Sequence, residues 1–194
     1  MKYKAENEQK GAGILLLTLI TAAGIITGAL YSLKGDFAEC PLLHQYVMPY
    51  SDVRYTVMFA HTTVSSLIFL AAVFFAGFSA IGQPVAVLLL LYRSFGAGLA
   101  AAVMYGIYGI KAVPSVIILM FPKAAVLLLT AVIAVRESVR SSCGIIRCFL
   151  FGESTDNGGL KLYIVRFTVL AFISVLVSAG DAVLNYFFGG LIGI

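Results

Sequence analysis

Residues 11–33, 60–81, 85–110, 113–135 and 164–188 are five apolar runs, each reaching the ~20 residues that a helix needs to cross the hydrocarbon core of a bilayer. In hydrocarbon every backbone N–H and C=O must be satisfied within the protein, so such runs become helices. The rest of the composition agrees. Of 194 residues, 61% are hydrophobic and 11% charged, with a mean hydropathy of +1.01. A soluble domain carries roughly 25% charged residues, and its surface could not be covered with so few. The fold expected is all-α: a polytopic integral membrane helical bundle of about five transmembrane helices, forming one membrane domain over 1–194. With no Trp in the chain, Tyr has to supply the interfacial anchors.

The net charge of +4 says nothing about nucleic acid here, and no nucleic-acid partner is expected. What matters is which connecting segments hold the cations. An inside N-terminus puts Lys2, Lys4, Lys10, Arg136, Arg140, Arg147, Lys161 and Arg166 on the cytoplasmic side. Only Lys34, Arg54 and Lys111 then lie outside. The expected topology is a cytoplasmic tail over 1–10, an outer loop over 34–59, a tiny turn at Gly82-Gln83-Pro84, a basic cytoplasmic loop over 136–163, and an outer C-terminus. The first run is longer than the about 7–15 apolar residues of a signal peptide and lacks an A-x-A-like site, so it reads as a retained helix.

Two connecting segments are long enough to have structure. Residues 34–59 mix Pro, Tyr and Met with charges and read as a short interfacial helix or turn. In 136–163, Arg136, Arg140 and Arg147 recur near helical spacing, beside Ile145, Ile146, Phe149 and Leu150. That pattern fits a basic helix on the inner leaflet, and equally an extension of a span followed by a plain positive loop.

Motifs for catalysis are absent. The chain has no H-E-x-x-H, G-x-S-x-G, P-loop or C-x-x-C. An intramembrane aspartyl enzyme needs two carboxylates, and the spans hold one, Asp181. His44 and His61 stand alone, and Cys40, Cys143 and Cys148 fall short of the four ligands of a structural zinc site. Neither a metal nor a cofactor is expected.

Small residues crowd the third run. Gly96, Gly98, Ala100, Ala102 and Gly106 form small-xxx-small steps, and Gly24 and Gly28 form a GxxxG in the first. Helices in lipid associate by close packing, so these residues mark contact faces. The faces serve either the centre of the chain's own bundle or an interface with another subunit, a homo-oligomer included. Pro84 suits the first turn of a helix. Pro122 sits mid-span and frees a carbonyl about one turn earlier, near Ile118.

Arg93, Lys123 and Asp181 interrupt the apolar runs. A charge at mid-bilayer costs about 2.5–3.5 kcal/mol on insertion scales, so such groups face the bundle interior and pair. One reading is a buried latch, with Asp181 held by Arg93 or Lys123. The other is a path for an ion or solute lined by all three.

The stretch "FFAGFSAIGQPVAVLLLLYRSFGAGLAAAV" (74–103), followed by "GIKAVPSVIILMFPKAAVLLLTAVIAVRES" (109–138), resembles the stage II sporulation protein M family. The shared features are the turn Gly77, Phe78, Ile81, Gly82, Pro84, the later group Arg93, Phe95, Gly96, Gly98, and the mid-span Pro122. Beyond 74–138 the resemblance is architectural only. After Pro122 the chain departs from the family, with Lys123-Ala124-Ala125 in place of other polar residues, and no ligand or partner role is carried over there. The resemblance implies a non-enzymatic scaffold in the bacterial cytoplasmic membrane. It would anchor extracytoplasmic peptidoglycan-remodelling enzymes, the cell-wall hydrolases of forespore engulfment in sporulation. The alternative reading is a small transporter or channel component that uses Arg93, Lys123 and Asp181.

Overall fold

A computed structural model describes residues 2–32, 55–79, 81–109, 116–151 and 157–188. Among them are five α-helices and no strand: α1 (Lys2–Ser32), α2 (Tyr55–Ala76), α3 (Gly82–Tyr108), α4 (Phe121–Phe151) and α5 (Asn157–Phe188). A short π-helical turn, Val116–Met120, leads into α4. The all-α expectation is met. Four of the helices contain windows long and apolar enough to cross a membrane: Gly13–Ser32, Phe59–Ala76, Gly82–Gly106 and Lys161–Leu184. α4 is the exception to the five expected. Its apolar stretch is bounded by Lys123 at one end and by Arg136, Glu137 and Arg140 at the other.

The helices extend further than the apolar runs. α1 already begins at Lys2, inside the expected tail. The segment expected as a loop over 136–163 is helical to Phe151 and again from Asn157. The reason is local: between Pro122 and Gly144 no Pro or Gly interrupts α4, so its backbone ladder runs on past the apolar stretch. Arg136 and Arg140 therefore sit on a continuation of α4, the span extension that is one of the two readings of this segment. The side chain of Arg147 lies outside the described ones, as do Cys40, His44 and most of the expected outer loop 34–59.

The packing is inverted relative to a soluble protein. Ile68, Phe75, Leu88, Phe121 and Phe172 point outward, while Thr62, Ser66, Arg93, Ser94, Lys123, Ser138, Ser142, Ser178 and Asp181 are buried. A soluble monomer rarely exposes apolar surface on this scale, whereas lipid tails cover it readily.

α3 is the central helix. Its apolar window is 50% buried, against 22–28% for the other three. It packs on α1, α2 and α4. The small residues make this possible. A Cβ added at Gly24 would run into the Ser94 side chain, one at Gly28 into the carbonyl of Phe95, and one at Gly98 into the carbonyl of Ile25. The Gly24–Gly28 step and Gly98 thus hold α1 and α3 backbone to backbone, within the chain's own bundle. Gly96 and Ala100 are buried on the same helix and Ala102 is half-buried. Gly106 faces open space and takes no part in this contact.

The turn between α2 and α3 lies one step earlier than Gly82-Gln83-Pro84. Residues 77–79 and 81 take part in it, closed by Ser79 N–H to the Ala76 carbonyl at 3.0 Å and Gly82 N–H to the Ser79 carbonyl at 3.0 Å. Gly82 opens α3, and Pro84 falls in its first turn, where an N–H has no partner in the helix anyway. Pro122 likewise stands near a helix start, not mid-helix. Lacking an N–H, it cannot close the α-helical bond to residue 118, and the chain before it is wound as the π turn.

Candidate functional site

α2 presents Thr62, Ser66 and Phe69 at i, i+4 and i+7, on the stripe that faces the bundle. Each meets a charge from another helix. The Arg93 guanidinium of α3 donates through Nη2 to Ser66 Oγ at 3.1 Å. It also lies 4.6 Å over the Phe69 ring, whose face attracts a cation. One helical turn further from the α2–α3 hairpin, Lys123 Nζ lies 2.7 Å from Asp181 Oδ2 and donates to Thr62 Oγ1 at 3.4 Å. Both side chains of the ion pair are nearly closed off from outside the protein, at 6% and 4% exposure.

The structure therefore brings Lys123 and Asp181 together directly. Its geometry differs from the sequence expectation in one respect. Lys123 is not central in a long helix. It is the third residue of α4, and Asp181 lies three residues from the end of its apolar window, so the pair sits near the end of the bundle away from the hairpin. Arg93 is deeper, eleven residues into α3, about 16 Å along its axis from Gly82.

The hairpin end holds a second polar group of a different kind. Ser142 Oγ donates to the Ser79 carbonyl at 2.7 Å, and Gln83 Nε2 to Cys143 Sγ at 3.0 Å. The Tyr163 hydroxyl donates to the Phe74 carbonyl at 2.9 Å, and the two rings stack at 5.1 Å. Gly77 leaves the space that the Tyr163 hydroxyl occupies, since a Cβ there would overlap it. Arg166 pairs with Glu137 across α4 and α5. The Ser142 and Tyr163 hydroxyls thus add a second donor to carbonyls that already accept a backbone N–H, Ser79 from Gly82 and Phe74 from Gly77, and tie α4 and α5 to the α2 C-terminus and the turn.

Sequence reasoning found Arg93, Lys123 and Asp181 as charges, but not Thr62, Ser66 and Phe69 as their seats. The i, i+4, i+7 stripe was the available signal, masked by the neighbouring Thr63 and Ser65. It also missed the hairpin-end group entirely. Among the described residues no cluster of His, Cys, Asp and Glu could hold a metal ion. His61 is exposed on α2.

Direct contact of an ammonium with a carboxylate satisfies both charges at once. A buried pair of this kind is weak evidence for stability but fixes which helices meet, and in which register, because either charge alone is costly to bury. Here it ties α4 to α5, with Thr62 bringing in α2. Comparison with known protein families, with curated proteins and with solved structures finds no match to this chain.

Proposed function

We propose that the chain is a non-enzymatic membrane scaffold whose buried charges lock its own helices, leaving its ends to meet partners. The carrying observation is the Lys123–Asp181 contact at 2.7 Å, closed off within the bundle. A group that conducts an ion or binds a solute has to release its partner during each cycle. A carboxylate held directly by a lysine, with a threonine on that same lysine, is suited to a latch. The intrachain use of Gly24, Gly28 and Gly98 agrees with a self-sufficient bundle.

The more specific part of the proposal rests on the resemblance of residues 74–138 to the stage II sporulation protein M family. On that reading the protein sits in the bacterial cytoplasmic membrane with its N-terminus inside, and anchors extracytoplasmic peptidoglycan hydrolases during engulfment. Affinity purification from the sporulating native host is expected to recover secreted wall hydrolases, and recovery of none of them sinks the scaffold role. The latch is tested separately by flux measurements in liposomes. Proteoliposomes should show no ion or proton leak above empty vesicles. A leak abolished by Asp181→Asn would restore the alternative, a small transporter or channel component.

A further inference from the structure

The outward stripe of α4 changes character abruptly. Leu129 and Ile133 are exposed at 58% and 47%, and the next positions on the stripe, at helical steps of three and four, are Arg136 and Arg140. Arg140 is exposed and Arg136 half-buried, both turned away from Ser138 and Ser142, which face the bundle. On α5 the exposed Lys161 likewise precedes Val165, exposed at 50%, by one helical turn.

These cations lie at one level. α4 and α5 run antiparallel, joined near one end by Lys123–Asp181 and near the other by Glu137–Arg166. From the second tie, Arg140 lies three residues further toward the hairpin end on α4, and Lys161 five residues further on α5, so about 5–8 Å beyond it in each case. Among the described side chains the carboxylates are Glu137 and Asp181. Asp181 is at the far end, and Glu137 is engaged by Arg166, which leaves Arg136, Arg140 and Lys161 as an excess of positive charge above an exposed apolar surface.

We propose that this end of α4 and α5 is a binding site for the headgroup of an anionic phospholipid. Its phosphate meets Arg136, Arg140 and Lys161, and its acyl chains lie along Leu129, Ile133 and Val165. Charge complementarity selects the headgroup, and continuity with the lipid-facing stripe selects a lipid over a soluble anion. The site is independent of the scaffold role.

The full chain, purified in non-ionic detergent, is offered phosphatidylglycerol or phosphatidylcholine, and retained lipid is counted by native mass spectrometry. Wild-type protein should prefer phosphatidylglycerol, and the preference should fall as salt is raised. Each cation near an anionic headgroup is worth about fivefold, so Arg136→Gln/Arg140→Gln/Lys161→Gln should lower the preference by at least about tenfold. The charge-keeping Arg136→Lys/Arg140→Lys should retain most of it, which keeps the test valid even where the triple variant folds poorly. Equal retention of the two lipids by wild-type protein overturns the proposal. So does an unchanged preference in the triple variant, which would place the headgroup elsewhere. Displacement of the lipid by glycerol 3-phosphate alone would show a soluble-anion site, and equally overturns it.

Discussion

The two ends of the bundle solve the problem of buried polarity differently. At the hairpin end, neutral donors from α4 and α5 reach backbone carbonyls of α2 and its turn, Ser142 to Ser79 and Tyr163 to Phe74, beside the partly exposed Glu137–Arg166 pair. Toward the other end, full charges reach across helices to side chains, Lys123 to Asp181 and Thr62, and Arg93 to Ser66 and Phe69. The difference follows from what each end lacks. A carbonyl has two lone pairs, and at the turn a hydroxyl fills the one that the backbone N–H leaves open. A charge in a low-dielectric interior cannot be satisfied by one neutral dipole and needs a counter-charge or several donors and acceptors. The neutral bonds hold α4 and α5 to the end of α2, whereas the charged ones join side chain to side chain within the bundle.

The charged end should therefore respond most strongly to truncation. Asp181→Ala strands a buried lysine and is expected to lower stability by about 3–5 kcal/mol. Unfolding by SDS titration from mixed micelles reads this directly. Lys123→Met/Asp181→Leu should recover most of the loss, because neither charge is then left alone. A double variant as unstable as Asp181→Ala would show that the pair is not the reason for the defect.

Next comes the α1–α3 contact, where sterics rather than charge decide. Gly98→Leu must push α1 off the Ile25 carbonyl, and a loss of about 1–3 kcal/mol is expected from overpacking. Gly106→Leu, in open space, should stay within about 0.5 kcal/mol in the same titration. Equal effects at the two glycines would mean that α1 does not approach α3 as closely as described.

Ser66→Ala removes a neutral partner from a cation, and hydrogen bonds to charged groups are worth about 1.5–3 kcal/mol. The Phe69 face still holds Arg93, so the loss should fall at the low end of that range. Tyr163→Phe keeps the stacked ring and deletes one neutral bond, which is worth about 0.5–1.5 kcal/mol. The comparison between the two ends fails if Tyr163→Phe proves more damaging than Asp181→Ala.

Much of the architecture could be read in advance because hydrocarbon is a strict solvent. Any run of about 20 apolar residues must become a helix there, whatever its neighbours are. Helix ends were less legible. Hydropathy reports where lipid stops, whereas α4 stops where its backbone ladder stops, and nothing in 136–143 breaks that ladder. Pro122 was legible in its chemistry: its missing N–H frees the carbonyl of residue 118, and the π turn Val116–Met120 lies directly before it.

The sequence by itself determined that this chain is helical, that it hides few charges among many apolar residues, and that Gly24, Gly28 and Gly98 would let helices touch. These are properties of single residues and short spacings, set by backbone hydrogen bonding, side-chain size and the free energy of burying a charge. Only the tertiary structure decided that α1 is the helix seated on α3, that Lys123 is the cation on Asp181, and that Thr62, Ser66 and Phe69 receive the charges. Those pairings join residues up to about 70 positions apart. Local physics says that a buried charge must find a partner, but which partner it finds depends on how all five helices pack at once.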